Sequence, residues 1–145
     1  MKKIIALTAL FFIGFFFAQE PIKALSKEDI PPEVSKIVDI SSLTFIVDTQ
    51  PSFPGGMAAF RKEFSQNFDT SALEKPKTGI LKTVIYYAVE VDGSILQIKA
   101  VGESDSFNKE AERALKSIKT KYYPAKVNNL AVRYLLRMPL KMNFK

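Results

Sequence analysis

The stretch that decides the fold is GILKTVIYYAVEVDGSILQIKAVG, residues 79–102. Its first half, residues 81–91, alternates between a mainly apolar set and a set that carries the charges. A period of two predicts a strand with one buried face. The following Asp92-Gly93 favours a two-residue hairpin turn, because this pair tolerates the positive φ that such a turn requires. The stretch therefore predicts two antiparallel strands, which need cover from the rest of the chain because a lone hairpin is marginal in water.

Helical patterns flank this hairpin on both sides. Before it, aromatic and apolar residues recur at intervals of three and four, as on the buried stripe of a short helix: Met57, Phe60, Phe64 and Phe68. After it, a second apolar stripe has the same spacing and ends before Tyr122-Tyr123-Pro124: Phe107, Ala111, Ala114, Leu115 and Ile118. We therefore expect two helices, one on each side of the hairpin in the sequence.

The longest period-two pattern in the chain runs from Val132 to Phe144, after a turn at Asn128-Asn129. Its even-numbered residues should face the helices. Pro139 cannot donate a ladder hydrogen bond, so this strand should form a sheet edge or be bulged there. A right-handed crossover through the second helix places this last strand beside the first strand, antiparallel to it. The predicted fold class is α+β, a two-layer sandwich with a three-stranded antiparallel or mixed sheet in the order 2-1-3 and two helices on one face.

The N-terminal third divides into two segments. Residues 1–18 form a basic start and an apolar run, which indicates a secretory signal peptide. An uncleaved inner-membrane anchor is the alternative, although the run is shorter than the roughly 20 residues of a spanning helix. In the extension, residues 19–49, Pro31-Pro32 could start a helix, and residues 42–48 form either an extra strand or part of a loosely docked segment. The main domain is then residues 50–145.

Composition argues against an enzyme. The chain contains no His and no Cys, so the commonest general base, the commonest metal ligand and the thiol nucleophile are absent. We predict no catalytic residue, no cofactor and no metal site, and we expect the carboxylates near the hairpin and on the second helix to be solvated. The net charge is +6, and no acidic residue follows Glu112. This asymmetry suggests an anionic partner or merely a solvated basic face; the export signal argues against nucleic acid.

Five segments in this order resemble the TonB C-terminal domain family in its Bacteroidetes-type form. They are PSFPGGMAAF (51–60), YAVEVDGSI (87–95), FNKEAERALKSI (107–118), YYPA (122–125) and MPLKMNF (138–144). The resemblance covers most of the chain that follows residue 50. The long Pro-rich spacer and the His-bearing anchor of a full TonB are absent, so the chain is expected to be a stand-alone, exported TonB-like domain.

The resemblance implies a periplasmic energy-transduction role, in which the last strand pairs with a peptide of an outer-membrane TonB-dependent receptor or of another TonB-system protein. An unpaired edge strand is a ready template for such a peptide. A homodimer through the same edge is the alternative, and the chain would be anchored to the inner membrane if residues 1–18 remain uncleaved. The basic face would comprise Arg133, Arg137 and Lys141. The peptide-binding edge would comprise Val132, Arg133, Tyr134, Leu135, Leu136 and Arg137.

Overall fold

A computed structural model describes residues 15–16, 25–74 and 79–144 of the chain. The helices are α1 (Pro32–Ser35), α2 (Gly56–Asn67) and α3 (Asp105–Lys116). The strands are β1 (Phe15–Phe16), β2 (Gly79–Val89), β3 (Ile95–Gly102), β4 (Ala125–Val127), β5 (Leu130–Val132) and β6 (Tyr134–Phe144). The proposed signal segment, apart from β1, lies outside the described residues. No helix within the described ranges is long and apolar enough to cross a bilayer.

The main sheet has β2 at its centre. β3 and β6 pair with β2 on opposite sides, both antiparallel, and the two-residue β1 adds to the outer side of β6. The β2–β6 register is continuous from Gly79↔Phe144 to Val89↔Tyr134. The predicted order of the three principal strands and the α+β sandwich are therefore confirmed.

Helices α2 and α3 cover one face of this sheet and enclose the main core. Phe60 and Phe64 of α2 are fully buried, as is Phe107 of α3. They pack with the inward residues of β2 and β6, among them Tyr87 and Leu140. The apolar periodicity of each element thus converges on one cluster, as the sequence predicts. Met57 is an exception, because it is 45% exposed.

The second face of the sheet is partly covered by residues 25–45, which we call the N-terminal strap. Val34 and Val38 of the strap are buried, and they form a second cluster with Tyr86 of β2 and Leu135 of β6. Of the two alternatives for residues 42–48, the extra strand is wrong: the 3₁₀ turn Ile40–Ser42 is followed by irregular chain through residue 48. β2 is therefore buried on both faces over much of its length, whereas the alternation of its sequence predicted one buried face.

The β2–β3 turn differs from the predicted two-residue turn. The Gly93 N–H donates to the Glu90 carbonyl at 2.9 Å, and the Glu90 N–H donates to the Ser94 carbonyl at 2.9 Å. Gly93 has φ +84°, so it is the left-handed residue that closes a three-residue loop. A Cβ at Gly93 would lie 1.9 Å from the Tyr122 carbonyl oxygen. The glycine is required both for its φ and for this close approach.

A small β4–β5 hairpin precedes β6, and the sequence analysis did not predict it. Asn128 and Asn129 both have positive φ, 50° and 63°, which is the geometry of a two-residue type I′ turn. The turn itself was predicted at these residues. Val132 pairs with Ala125 in this hairpin, so the expectation that Val132 begins the last strand is wrong.

Candidate functional site at the outer edge of β6

The direction of the backbone groups of β6 follows from one hydrogen bond on the other side of the sheet. The Ala100 N–H of β3 donates to Glu112 Oε1 at 2.9 Å and so points away from β2. Ladder hydrogen bonds alternate along antiparallel strands. Ala100 pairs with Ile85, so the backbone groups of Ile85 point away from β3 and toward β6. Ile85 pairs in turn with Met138, so the backbone groups of Met138 face β2. The neighbouring odd-numbered residues therefore turn their N–H and C=O groups outward: Leu135, Arg137, Pro139 and Lys141.

Pro139 agrees with this direction. It pairs with Val84 with no register shift. Because its nitrogen points outward, the missing N–H costs the β2–β6 ladder nothing. Pro139 therefore lies on an edge strand without a bulge, the first of the two predicted possibilities. Pro139 could also have identified these residues from the sequence, because residues an even number of positions away from it turn their backbone groups in the same direction.

β1 pairs with one end of this outer edge. Phe15 pairs with Met142 and Phe16 pairs with Lys141. No other strand of the described residues lies against the outer side of β6. Just before β6 begins, the Arg133 carbonyl accepts the Thr44 N–H of the strap at 2.9 Å. From Tyr134 to Leu140, the outer side of β6 thus has no described strand beside it.

The opposite edge of the sheet, at β3, is closed in three ways. Glu112 Oε1 accepts a hydrogen bond from the outward Ala100 N–H. The Asn108 side-chain amide donates to the Gly102 carbonyl at 2.8 Å. The register with β2 shifts between Tyr86 and Ala88, and Gln97 has φ +52°. A bulge of this kind disrupts the regular spacing that another strand would need, so β6 is the edge open to strand addition.

Arg133 is not part of an exposed basic face. Its side chain is 12% exposed, and its Nε donates to Glu90 Oε1 at 2.7 Å. Its Nη1 donates to the Asp39 carbonyl at 2.7 Å and to Ser42 Oγ at 2.6 Å, and Nη2 contacts Gln97 Oε1. Arg133 therefore ties the strap to the β2–β3 hairpin, which corrects the expectation that it meets a partner.

The remaining predicted edge residues divide between the two faces of the sheet. Tyr134 is buried, and burial raises the pKa of its phenol. Leu135 is buried against the strap, which differs from the expected outward position, and Leu136 packs against the helix-side core. Only Arg137 of this set is exposed. Side-chain contact with a partner is thus limited. Of the residues whose backbone groups turn outward, Arg137 is exposed, whereas Leu135 as a whole residue is 3% exposed.

Arg137 and Lys141 do form a basic surface, and Lys82 extends it. Lys82 lies directly opposite Lys141 in the β2–β6 register. Like charges in directly opposed positions repel. No carboxylate of the described residues lies within 4.0 Å of the charged atoms of these three side chains. We call Lys82, Arg137 and Lys141 the basic surface; its uncompensated charge suits an anionic partner.

Glu90, Glu110 and Glu112, among the carboxylates near the hairpin and on α3, are engaged in structural contacts. Glu110, expected in solvent, is only 4% exposed and forms an ion pair with Arg113. Burial by itself would raise the pKa of Glu110, but hydrogen bonds from Arg113 and from the Asp69 N–H outweigh it and hold that pKa below the usual value. No group of three potential ligands among the described residues is placed to hold a metal ion.

Comparisons with family models, curated proteins and solved structures found no match to this chain.

Proposed function

We propose that this chain is an exported, TonB-like protein-binding module of the periplasm. Its partner is an outer-membrane TonB-dependent receptor or another TonB-system protein. The partner supplies an extended peptide that adds antiparallel to the outer edge of β6. The observation that carries this proposal is the run of outward backbone groups at Leu135, Arg137 and Pro139, beside which no described strand lies.

Two further observations favour this edge. β3 is closed by Glu112, Asn108 and its bulge, so strand addition has one available side. β1 already pairs antiparallel with Lys141 and Met142. The edge geometry is therefore compatible with an added strand of the orientation proposed.

The expected affinity is modest. Leu135 and Arg137 each offer a donor and an acceptor, and Pro139 offers an acceptor. Each such hydrogen bond contributes roughly 1 kcal/mol net, and association costs at least about 4 kcal/mol in lost freedom. Backbone pairing alone thus leaves little surplus. Acidic residues of the peptide that meet Arg137 and Lys141 would add about 0–1 kcal/mol per exposed ion pair.

The test is a pair of substitutions at one position. Arg137→Pro removes an outward N–H and leaves the bonds to β2 intact, whereas Arg137→Ala removes the charge and keeps the N–H. We expect Arg137→Pro to weaken binding of a synthetic TonB-box peptide about tenfold, because the proline also obstructs the approaching strand. Arg137→Ala should weaken it less than about fivefold. Fluorescence anisotropy with the labelled peptide measures both.

Equal affinities for the proline variant and the unmodified chain, with both folded by circular dichroism, would exclude pairing at this edge. Sedimentation velocity distinguishes the homodimer. A stable dimer of the chain that Arg137→Pro dissociates would mean that a second copy occupies the edge in place of a receptor peptide.

A further inference from the structure

A groove lies between β3 and α3, at the opposite edge of the sheet from the outer edge of β6. Its volume is about 550 Å³, which is within the range of ligand sites in proteins. Residues 95–98 of β3 line one side. The other side is a single face of α3 that carries Lys109, Glu112, Arg113 and Lys116.

The charges of this groove are unbalanced. Glu112 is engaged by the Ala100 N–H at 2.9 Å and by Lys99 Nζ at 3.9 Å. Arg113 is paired with Glu110. Lys109 and Lys116 are exposed, and no carboxylate of the described residues lies within 4.0 Å of their Nζ atoms. The groove therefore has a cation toward each end, and its four charged lining residues carry a net charge of +2 even with Glu112 between the two lysines.

The β3 side of the groove is apolar. Ile95 and Ile98 are half-buried and pack against the edge of the main core. Leu96 is 52% exposed. An exposed leucine beside two partly covered isoleucines gives an apolar side chain of a ligand a surface to cover.

The bulge at Gln97 limits how a ligand could bind here. Gln97 is held at φ +52°, and its Oε1 accepts the Asp39 N–H at 3.0 Å. Strained backbone of this kind persists only where surrounding contacts maintain it. Because the bulge interrupts the regular edge of β3, recognition in this groove must depend on side chains and charge more than on a strand ladder.

We infer that this groove binds a short acidic segment of a partner protein, with an apolar side chain on Leu96 and its neighbours and carboxylates at Lys109 and Lys116. The inference goes beyond the proposed function, since it concerns the other edge of the sheet. The two lysines are seven positions apart, which is about 10 Å along a helix. A peptide in the polyproline II conformation has three residues per turn and a rise of about 3.1 Å per residue, so residues three apart share a face and lie about 9 Å apart. The fitting motif is an acidic residue, an apolar residue, any residue, and a second acidic residue.

The experiment is an amide chemical-shift titration of the full chain with the peptide Gly-Asp-Leu-Ser-Asp-Gly, blocked at both ends. We expect the shifts to concentrate in residues 95–98 and 109–116. The control peptide Gly-Asn-Leu-Ser-Asn-Gly lacks the charges. The control peptide Gly-Asp-Ser-Ser-Asp-Gly lacks the apolar side chain. Each should bind at least about fivefold more weakly than the acidic, leucine-containing peptide, because it lacks one of the two contacts.

The matched variants have the same change in net charge. Lys109→Glu with Lys116→Glu should weaken binding at least about tenfold, because two attractions become repulsions. Lys62→Glu with Lys119→Glu, at exposed positions outside the groove, should leave the affinity within about twofold. All four lysines are exposed, so the spectra should show that both variants remain folded.

Three outcomes would overturn the inference. The first is the absence of shifts in the groove at millimolar peptide. The second is equal binding of the acidic and the amide peptide. The third is a set of shifts along β6 and none at β3, which would assign the peptide to the proposed strand-addition site. Failure of strand addition at β6 would leave the groove result unaffected, because the two sites report on different amides.

Discussion

At the scale of single residues, Gly93 is the most constrained position in the hairpin. Its φ of +84° is costly for any L-residue, and a Cβ would overlap the Tyr122 carbonyl. We expect Gly93→Ala to lower the free energy of unfolding by about 3 kcal/mol, measured by urea denaturation. Gly56→Ala is the matched control, because Gly56 has φ +79° but open space around the added Cβ.

Gly56→Ala should lower the free energy of unfolding by about 1–2 kcal/mol, which is the cost of the left-handed conformation alone. The difference between the two variants isolates the overlap with Tyr122. Equal losses would mean that the hairpin tip moves freely away from Tyr122, which contradicts the docking described above.

A second residue-scale feature is the hydrogen bond between the buried Tyr87 and Tyr122 hydroxyl groups, at 2.7 Å. Tyr87→Phe leaves the Tyr122 hydroxyl buried without its partner, at a cost of about 1–3 kcal/mol. Replacing both with Phe removes the polar atoms together and should cost less than about 1 kcal/mol. A double-mutant cycle by denaturation measures this coupling, and strictly additive losses would contradict it.

The same pair should shape stability at high pH. Burial raises the pKa of both phenols above the ordinary value of 10.0. Above that pH the unfolded chain has released these protons while the folded chain retains them. Stability from the two protonated tyrosines is therefore complete below pH 10 and falls as pH rises, by up to about 1.4 kcal/mol per pH unit for each tyrosine. The double Phe variant should lose this part of the slope between pH 10 and 11.5; an unchanged slope would contradict the burial of the pair.

At the scale of elements, Arg133 decides whether the N-terminal strap stays on the sheet. We expect Arg133→Ala to cost about 2 kcal/mol, because it leaves Glu90 and the strap without their charged partner. The Thr44 N–H, whose acceptor is the Arg133 carbonyl, should exchange with deuterium faster. Arg137→Ala, four residues further along the chain at an exposed position, should change stability by less than about 0.5 kcal/mol. Equal losses of stability for Arg133→Ala and Arg137→Ala would contradict the role of Arg133 in holding the strap.

The docking of the strap could not be predicted from the sequence, in contrast to the main strands and helices. β2 and β6 were predictable because each sustains a clear period of two, β3 because a hairpin turn at Asp92-Gly93 follows β2, and the helices because their stripes repeat. Residues 25–45 have no sustained period, and their partners are distant: Arg133 lies 94 residues from Asp39 and 43 residues from Glu90. β4 and β5 have three residues each, too few for alternation to be recognised.

The candidate site was predictable only in part, for the same reason. The last strand and its basic residues follow from the pattern, but their division into engaged and exposed side chains does not. Arg133 and Arg137 have the same chemistry and the same parity in the sequence. Only the fold shows that Arg133 meets Glu90, while Arg137 remains in solvent.

At the scale of the whole molecule, the two edges of the sheet differ. β3 is closed to strand addition and carries a cationic groove, whereas β6 presents outward backbone groups beside a basic surface. Under the two proposals, a strand-forming partner and an acidic partner bind at opposite edges of the sheet and need not compete.

The most direct test of the central claim is a backbone amide titration of the full chain with a TonB-box peptide of an outer-membrane receptor. We expect saturable shifts at the outward-facing amides of Leu135 and Arg137, larger than those of the intervening amides that face β2. Shifts confined to other parts of the chain, or none along β6 while the spectrum remains that of the folded protein, would contradict strand addition at this edge.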